Sequence, residues 1–305
     1  MTVKFIKISC LIFSLSLFVP SLCWSKTPRV GQKEFDFEMS PAEKQRFIAF
    51  ITLWEFNRDP ARIVEWNEGE SFPSAGIGHY LWYPKYEDSA PPDFEESFPL
   101  FFLNLFQTQC FQGVFPPILK YESTSGKIAF APWKNREEFL REAARGFNKP
   151  LTPLAELKNF LNSAPVQICQ VNFQIERLKA TVREIFAAVS DRQFEDYFYK
   201  VFRSQGGPTA VLDYVNFKGT GMNPREVIRD PQGREFRWGL RQVLEQGRRK
   251  FESEHGAMAP LSAFKNAGID VLTERARIQP SVARFLPGWI NRLNSYESAR
   301  KKNSK

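Results

Sequence analysis

Apolar residues recur at helical spacing over most of the chain between residues 40 and 299. Ser40-Pro41-Ala42-Glu43 has the form of a capping box with proline at the first helical position. The helix it starts would carry Phe47, Ile51 and Glu55 on one stripe, and Asp59-Pro60 marks its end or a turn after it, because proline disfavours helix at the preceding residue. Residues 66–83 (WNEGESFPSAGIGHYLWY) break the period, and their glycines, aromatics and short polar residues predict a small β-hairpin or three-stranded flap. Residues 84–99 form a loop rich in proline and acid. Helical spacing then returns: from a cap at Asn135 to Gly146, and over about 153–163, 168–188 and 191–204. Gly206-Gly207-Pro208 interrupts it, Thr209–Phe217 resumes it, and further helices are expected near 236–254, 261–276 and 287–299. The fold class expected is mainly α (α+β), one two-lobed helical domain over 40–299 with one small β element near its start. Residues 26–39 would be extended and 300–305 a disordered basic tail.

The first 25 residues follow a different rule. Lys4 and Lys7 precede an uncharged stretch from Ile8 to Ser25, with its apolar centre at Leu11–Val19 and small residues after Pro20. This is the three-part pattern of a secretory signal, too short for a comfortable membrane span. Cleavage is expected near Ser25, and the mature chain would be periplasmic or extracellular. An uncleaved anchor and a lipoprotein site at Cys23 are the alternatives. Loss of Lys4 and Lys7 lowers the formal charge from +8 to +6. That suits an acidic partner, but the basic residues are dispersed apart from Arg248-Arg249-Lys250 and the tail, so a nucleic-acid module is not expected. Loss of Cys10 and Cys23 leaves Cys110 and Cys169, either two buried thiols or a disulfide worth about 4 kcal/mol on a chain-entropy argument.

Composition narrows the chemistry. With 43% apolar residues and 30 Phe the chain can fill a core, and no repeat points to a solenoid or coiled coil. Two histidines and no paired metal-ligand spacing argue against a zinc site. No glycine-rich phosphate or dinucleotide loop occurs, and neither His79 nor His255 sits in a triad signature; His255, beside Gly256, reads as a helix end.

What remains is carboxylate chemistry. Glu55 shares its stripe with apolar residues, and burial there would raise a carboxyl pKa toward that of a general acid. A solvated helix-end Glu paired with Arg58 or Arg62 is the plainer alternative. Glu68, Glu70 and Ser74 precede Gly76-Ile77-Gly78-His79. The two acids would lie on one strand face, the Ser74 hydroxyl would help to hold water, and His79 would lock a carboxylate. A glycine-bearing hairpin with a hydrogen-bonded histidine is the plain reading of the same residues.

These features resemble the phage-type lysozymes within the lysozyme-like superfamily: an acid ending the first helix, then a flap with an acid, a hydroxyl residue and Gly-Ile-Gly-His. In that family the first Glu is the catalytic acid, a second acid follows nine positions on, and a Thr or Ser six beyond. Glu68 and Ser74 keep the spacing of six, whereas Glu55 lies thirteen before Glu68 and Asp59 lies nine before it. Glu55 and Asp59 are therefore both candidates for the first acid, with the helical stripe favouring Glu55. Trp66–Pro84, Asp213–Gly219, Trp238-Gly239-Leu240 and Leu286-Pro287-Gly288-Trp289 are also similar to a group of uncharacterised secreted bacterial proteins.

The resemblance implies a secreted glycosidase acting on peptidoglycan or a related N-acetylhexosamine polymer, with no metal or organic cofactor. Glu55 would be the acid and Glu68 the second carboxylate, with Glu70, Ser74 and His79 organising the flap. Tyr214, Asn216, Lys218, Trp238 and Gln242 mix flat faces with polar tips and, with Trp66 and Trp82, are the expected sugar-binding residues; a core Tyr and Trp with a solvated Lys is the plainer alternative. The rival readings are a non-catalytic glycan-binding protein of the same shape and a membrane-active protein using the basic C-terminal half.

Overall fold

The structure, a computed structural model, describes residues 37–85, 96–119, 121–122, 127–128, 130–146, 151–224 and 226–297. The expected export signal, most of the extended N-terminal segment, the centre of the acidic loop and the basic tail lie outside the described residues.

Helix α1 (Pro41–Trp54) begins where its capping box requires, with the Glu43 amide donating to Ser40 Oγ at 3.3 Å and the Ser40 amide donating to Glu43 Oε2 at 2.8 Å. Phe47 and Ile51 are buried, and Glu55 is the C-cap. A 3₁₀ turn at Pro60–Ile63 leads into β1 (Val64–Glu65), β2 (Ser74–Ala75) and β3 (Tyr80–Leu81), a three-stranded antiparallel flap. Its register sets Glu65 against Ser74 and Ser74 against Leu81.

The flap is buried against α2 (Phe98–Gln107), a helix not anticipated individually. Tyr80 and Trp82, two residues apart, point the same way, as strand geometry dictates. Tyr80 stacks on Phe101 at 4.9 Å, and Trp82 packs on Phe98 at 4.7 Å and edge-on to Trp133 at 5.9 Å. Strands β4 (Tyr121–Glu122) and β5 (Lys127–Ile128) follow as an antiparallel pair. Helix α3 (Arg136–Ala143) starts at the expected Asn135 cap, whose Oδ1 accepts from the Glu138 amide at 3.0 Å.

Helices α4 (Pro153–Asn162), α5 (Ala164–Val189), α6 (Arg192–Arg203) and α7 (Gly207–Lys218) come next, and α1 packs on α5 and α7. Between α7 and the following helix the chain forms a hairpin, β6 (Ile228–Arg229) and β7 (Glu235–Phe236), whose second strand takes in residue 236, where the next helix was expected to start. Asp230 Oδ1 accepts from the amides of Gln232 at 2.9 Å and Arg234 at 2.8 Å, so the Asp-Pro-Gln-Gly turn organises itself locally. Helix α8 (Leu240–Ser253) therefore begins at Leu240, and His255 follows its end beside Gly256 as expected. Helices α9 (Pro260–Ile278) and α10 (Leu286–Ser295), joined by a 3₁₀ turn at Pro280–Phe285, complete a mainly α structure with small antiparallel sheets. Cys110 and Cys169 form a disulfide, the second of the two arrangements left open by the sequence.

Candidate active site at the end of α1

Four elements converge on Glu55. From α1 its carboxylate is part-buried, with 18% of the side chain exposed. Its Oε2 lies 3.8 Å from His79 Nε2 of the flap, and its Oε1 makes a short ion pair with Arg292 of α10. The surroundings are thus charged and polar, not the apolar pocket expected from the helical stripe. One oxygen is fixed by a guanidinium and the other faces the flap. Asp59, the other candidate acid, is exposed and caps the 3₁₀ turn by accepting from the Ala61 amide at 2.9 Å.

Arg292 is itself held by Asp213 of α7, which is fully buried. Arg292 Nε donates to Asp213 Oδ2 at 3.0 Å, Nη2 donates to Oδ1 at 2.6 Å, and the Tyr296 hydroxyl donates to Oδ2 at 2.6 Å. Burial opposes the charge on Arg292, but Asp213 and then Glu55 outweigh it and hold the guanidinium above its ordinary range. Burial, with the Asp213 charge second, pushes the Tyr296 phenol well up. Neither Asp213 nor Arg292 was singled out from sequence for this role. A signal existed for Asp213, the lone charge inside the apolar run Ala210-Val211-Leu212-Asp213-Tyr214-Val215.

His79 is aimed by the turn before it. Gly76 has φ +79°, and its amide donates to Ile63 O at 2.7 Å. Two buried glutamines of α5, one turn apart, close on this turn. Gln170 Oε1 accepts from the Ile77 amide at 2.7 Å while its Nε2 donates to Leu161 O at 2.9 Å. Gln174 Nε2 donates to the Tyr80 hydroxyl at 3.1 Å and to Asn216 Oδ1 at 3.4 Å. A Cβ on Gly78 would lie 2.0 Å from Gln174 Nε2 and 2.3 Å from the Tyr80 ring, so the second glycine is required by close approach. The His79 ring lies nearly parallel to that of Phe56, with centroids 6.2 Å apart. The two glutamines escaped the sequence reading.

The remaining site residues divide. Ser74 is buried in the middle strand. Glu68 and Glu70 are exposed in the turn joining β1 to β2, not on a strand face, because β1 is two residues long and ends before them. Glu70 Oε2 accepts from Asn67 Nδ2 at 3.1 Å, and among the described residues no hydrogen bond or ion pair joins either acid to Glu55. Trp66 and Trp82 are core residues rather than sugar platforms: Trp66 Nε1 donates to Glu70 O at 2.8 Å, and Trp82 has no exposed surface. Tyr214 is also core, fully buried with its hydroxyl donating to Trp238 O at 2.8 Å. Trp238 is 8% exposed and its ring is covered by the Arg275 guanidinium at 3.7 Å. Gln242 serves the start of α8, its Oε1 accepting from the Gly239 amide at 3.1 Å. Asn216 and Lys218, at the end of α7, are the two expected sugar-binding residues that reach the Glu55 region: Asn216 through Gln174, and Lys218 through its electrostatic interaction with Glu55.

An apolar groove of about 460 Å³, lined by Phe111, Val114, Phe115, Leu151 and Phe160 among others, contains none of the expected site residues. In the basic run, Arg248 pairs with Asp191 at 3.2 Å and Lys250 with Asp270 at 2.7 Å. No helix among the described residues is long and apolar enough to cross a membrane. No family model matches the chain, and no curated protein or solved structure shows significant similarity to it.

Proposed function

We propose that this is an exported glycoside hydrolase of lysozyme-like type, cleaving peptidoglycan or a related N-acetylhexosamine polymer without a metal or organic cofactor. The observation that carries the reading is the position of Glu55. It is fixed through one oxygen by Arg292 and faces the His79 end of a glycine-bent flap through the other. In this reading Glu55 protonates the leaving oxygen, and the charged start of the chain with its apolar centre directs export. The second carboxylate is Glu68, carried by the β1–β2 turn at the rim of the flap.

A muralytic assay tests the reading. Glu55→Gln should lower turnover by about a hundredfold or more while leaving the fold intact. Activity equal to that of the unaltered protein would remove Glu55 from the mechanism. The exposed position of Glu68 and Glu70, unjoined to Glu55, favours a second reading, a non-catalytic glycan-binding protein. Sedimentation with purified cell wall and no soluble product would select that alternative.

A further inference from the structure

Lys218, at the end of α7, carries a nucleophile that the carboxylate chemistry of Glu55 does not use. Its Nζ lies 3.4 Å from the centre of the Trp289 ring and 3.8 Å from that of Phe217. It makes no hydrogen bond or ion pair among the described residues; Arg275, Arg292, Glu55 and Asp213 act on it through space. Burial first, then the two arginine charges, pull the amine down to about 6 against the opposing pull of the two acids. Near neutral pH it is therefore mostly the uncharged amine, whose lone pair is free to attack carbon.

Trp289 brings a second group to the same ring. The Arg275 guanidinium of α9 lies 5.6 Å from its centre and 3.7 Å from that of Trp238. Arg292 is committed to Asp213 and Glu55, whereas Arg275 makes no ion pair among the described residues and feels Glu226 only through space. Its Nε is buried there without a hydrogen-bond partner. A buried donor left unpaired is costly, and a guanidinium with no bonded counter-ion calls for an anion. Lys158 of α4 shows what distinguishes Lys218. Burial lowers that amine too, but Asp59 and Glu65 oppose the shift and would repel an anion placed beside them.

We propose that Lys218 is a site of reversible carbamylation: its amine takes up carbon dioxide, and the carbamate pairs with Arg275. The nitrogen lone pair forms a bond to the carbon, one carbon–oxygen π pair moves onto oxygen, and the nitrogen gives a proton to solvent. The product is an anion that supplies the acceptor Arg275 Nε lacks. Glu55 and Asp213 disfavour a further anion, but both are already bonded to Arg292. Trp289 and Phe217 are part-exposed, so carbon dioxide, small and uncharged, reaches the amine from the surface. The charge near Glu55 then follows the supply of carbon dioxide. The modification does not rest on the glycan reading.

The test is carbon-13 NMR of the full chain in labelled bicarbonate at about pH 8, where the amine is uncharged. The carbamate is then trapped as its ethyl ester with a triethyloxonium salt and located by peptide mass spectrometry. A carbamate signal should map to Lys218, vanish in Lys218→Met and fade as the pH falls below about 6. Arg275→Met should raise the bicarbonate needed for half-occupancy about tenfold. The ester in the unaltered protein locates the site whether or not the variants fold. No ester on Lys218, or an occupancy that Arg275→Met leaves unchanged in a folded protein, overturns the proposal. A muralytic assay of the same samples separates the two ideas: activity without the ester leaves only the glycan reading standing, and the ester without activity leaves only the carbamate.

Discussion

The two walls that meet at Glu55 are held in different ways. The flap is positioned by neutral groups: backbone pairing in β1–β3, the buried amides of Gln170 and Gln174, and two glycines that let those amides approach. The opposite wall, built from α7, α9 and α10, is positioned by charge: Arg292 between Asp213 and Glu55, and Arg275 on an aromatic face. Neutral hydrogen bonds fix geometry at little electrostatic cost. Buried charges fix geometry only while every partner is present, and they tie the wall to pH. The histidine side of the site should therefore behave as a steric construction and the arginine side as an electrostatic one.

The largest effect expected from this contrast comes from removing Asp213. Asp213→Ala leaves the Arg292 guanidinium buried with only Glu55 to balance it, and takes away the acceptor of the Tyr296 hydroxyl. Breaking one side of such a pair costs about 4 kcal/mol, and urea unfolding would measure it. A loss below about 1 kcal/mol would mean that solvent reaches the pair and that the wall is not held by charge.

On the flap side the comparable change is steric. In Gly78→Ala the new Cβ meets the Gln174 amide and the fully buried Tyr80 ring. Overpacking of this kind costs about 3 kcal/mol at the upper end of its range. Because no charge is involved, the loss should be the same at pH 6 and at pH 9. A loss that changed between those pH values would break the contrast between the walls.

How much of this was legible beforehand depended on how local the cause was. The Ser40 box and the Asn135 cap are settled within four residues, and both helices start where their sequences direct. The glycine-bearing turn was visible as a turn, but its reason was not, since the amides that require it come from α5. Trp66 and Trp82 look like sugar platforms in sequence, because an aromatic beside polar residues looks the same whether it meets solvent or a helix. The covering residues, Phe98 for one and Phe139 for the other, lie outside the flap's own sequence. Glu68 and Glu70 alternate as residues on one strand face do, but the strand stops at Glu65 and both fall in the turn after it. Glu55 was legible from its stripe, while Arg292, its partner, lies near the other end of the chain and carries no local mark.

The smallest effect expected is a gain in stability. Lys218 has an ordinary lysine pKa near 10.5 when unfolded and about 6 when folded, because burial and then the Arg275 and Arg292 charges disfavour the ammonium. Between those values the unfolded chain binds the proton that the folded chain has lost, so folding is penalised. The penalty is full below about pH 6 and fades as the pH rises toward 10.5. Lys218→Met keeps a long apolar side chain against Trp289 and Phe217 and removes the titration. It should stabilise the protein by about 2 kcal/mol at pH 7. The gain should be larger at pH 6 and nearly gone at pH 10, as thermal unfolding across that range would show. A gain that did not shrink with rising pH would place the cost of Lys218 in packing rather than in charge. The charged wall would then owe its pH sensitivity to Arg292 and its partners alone.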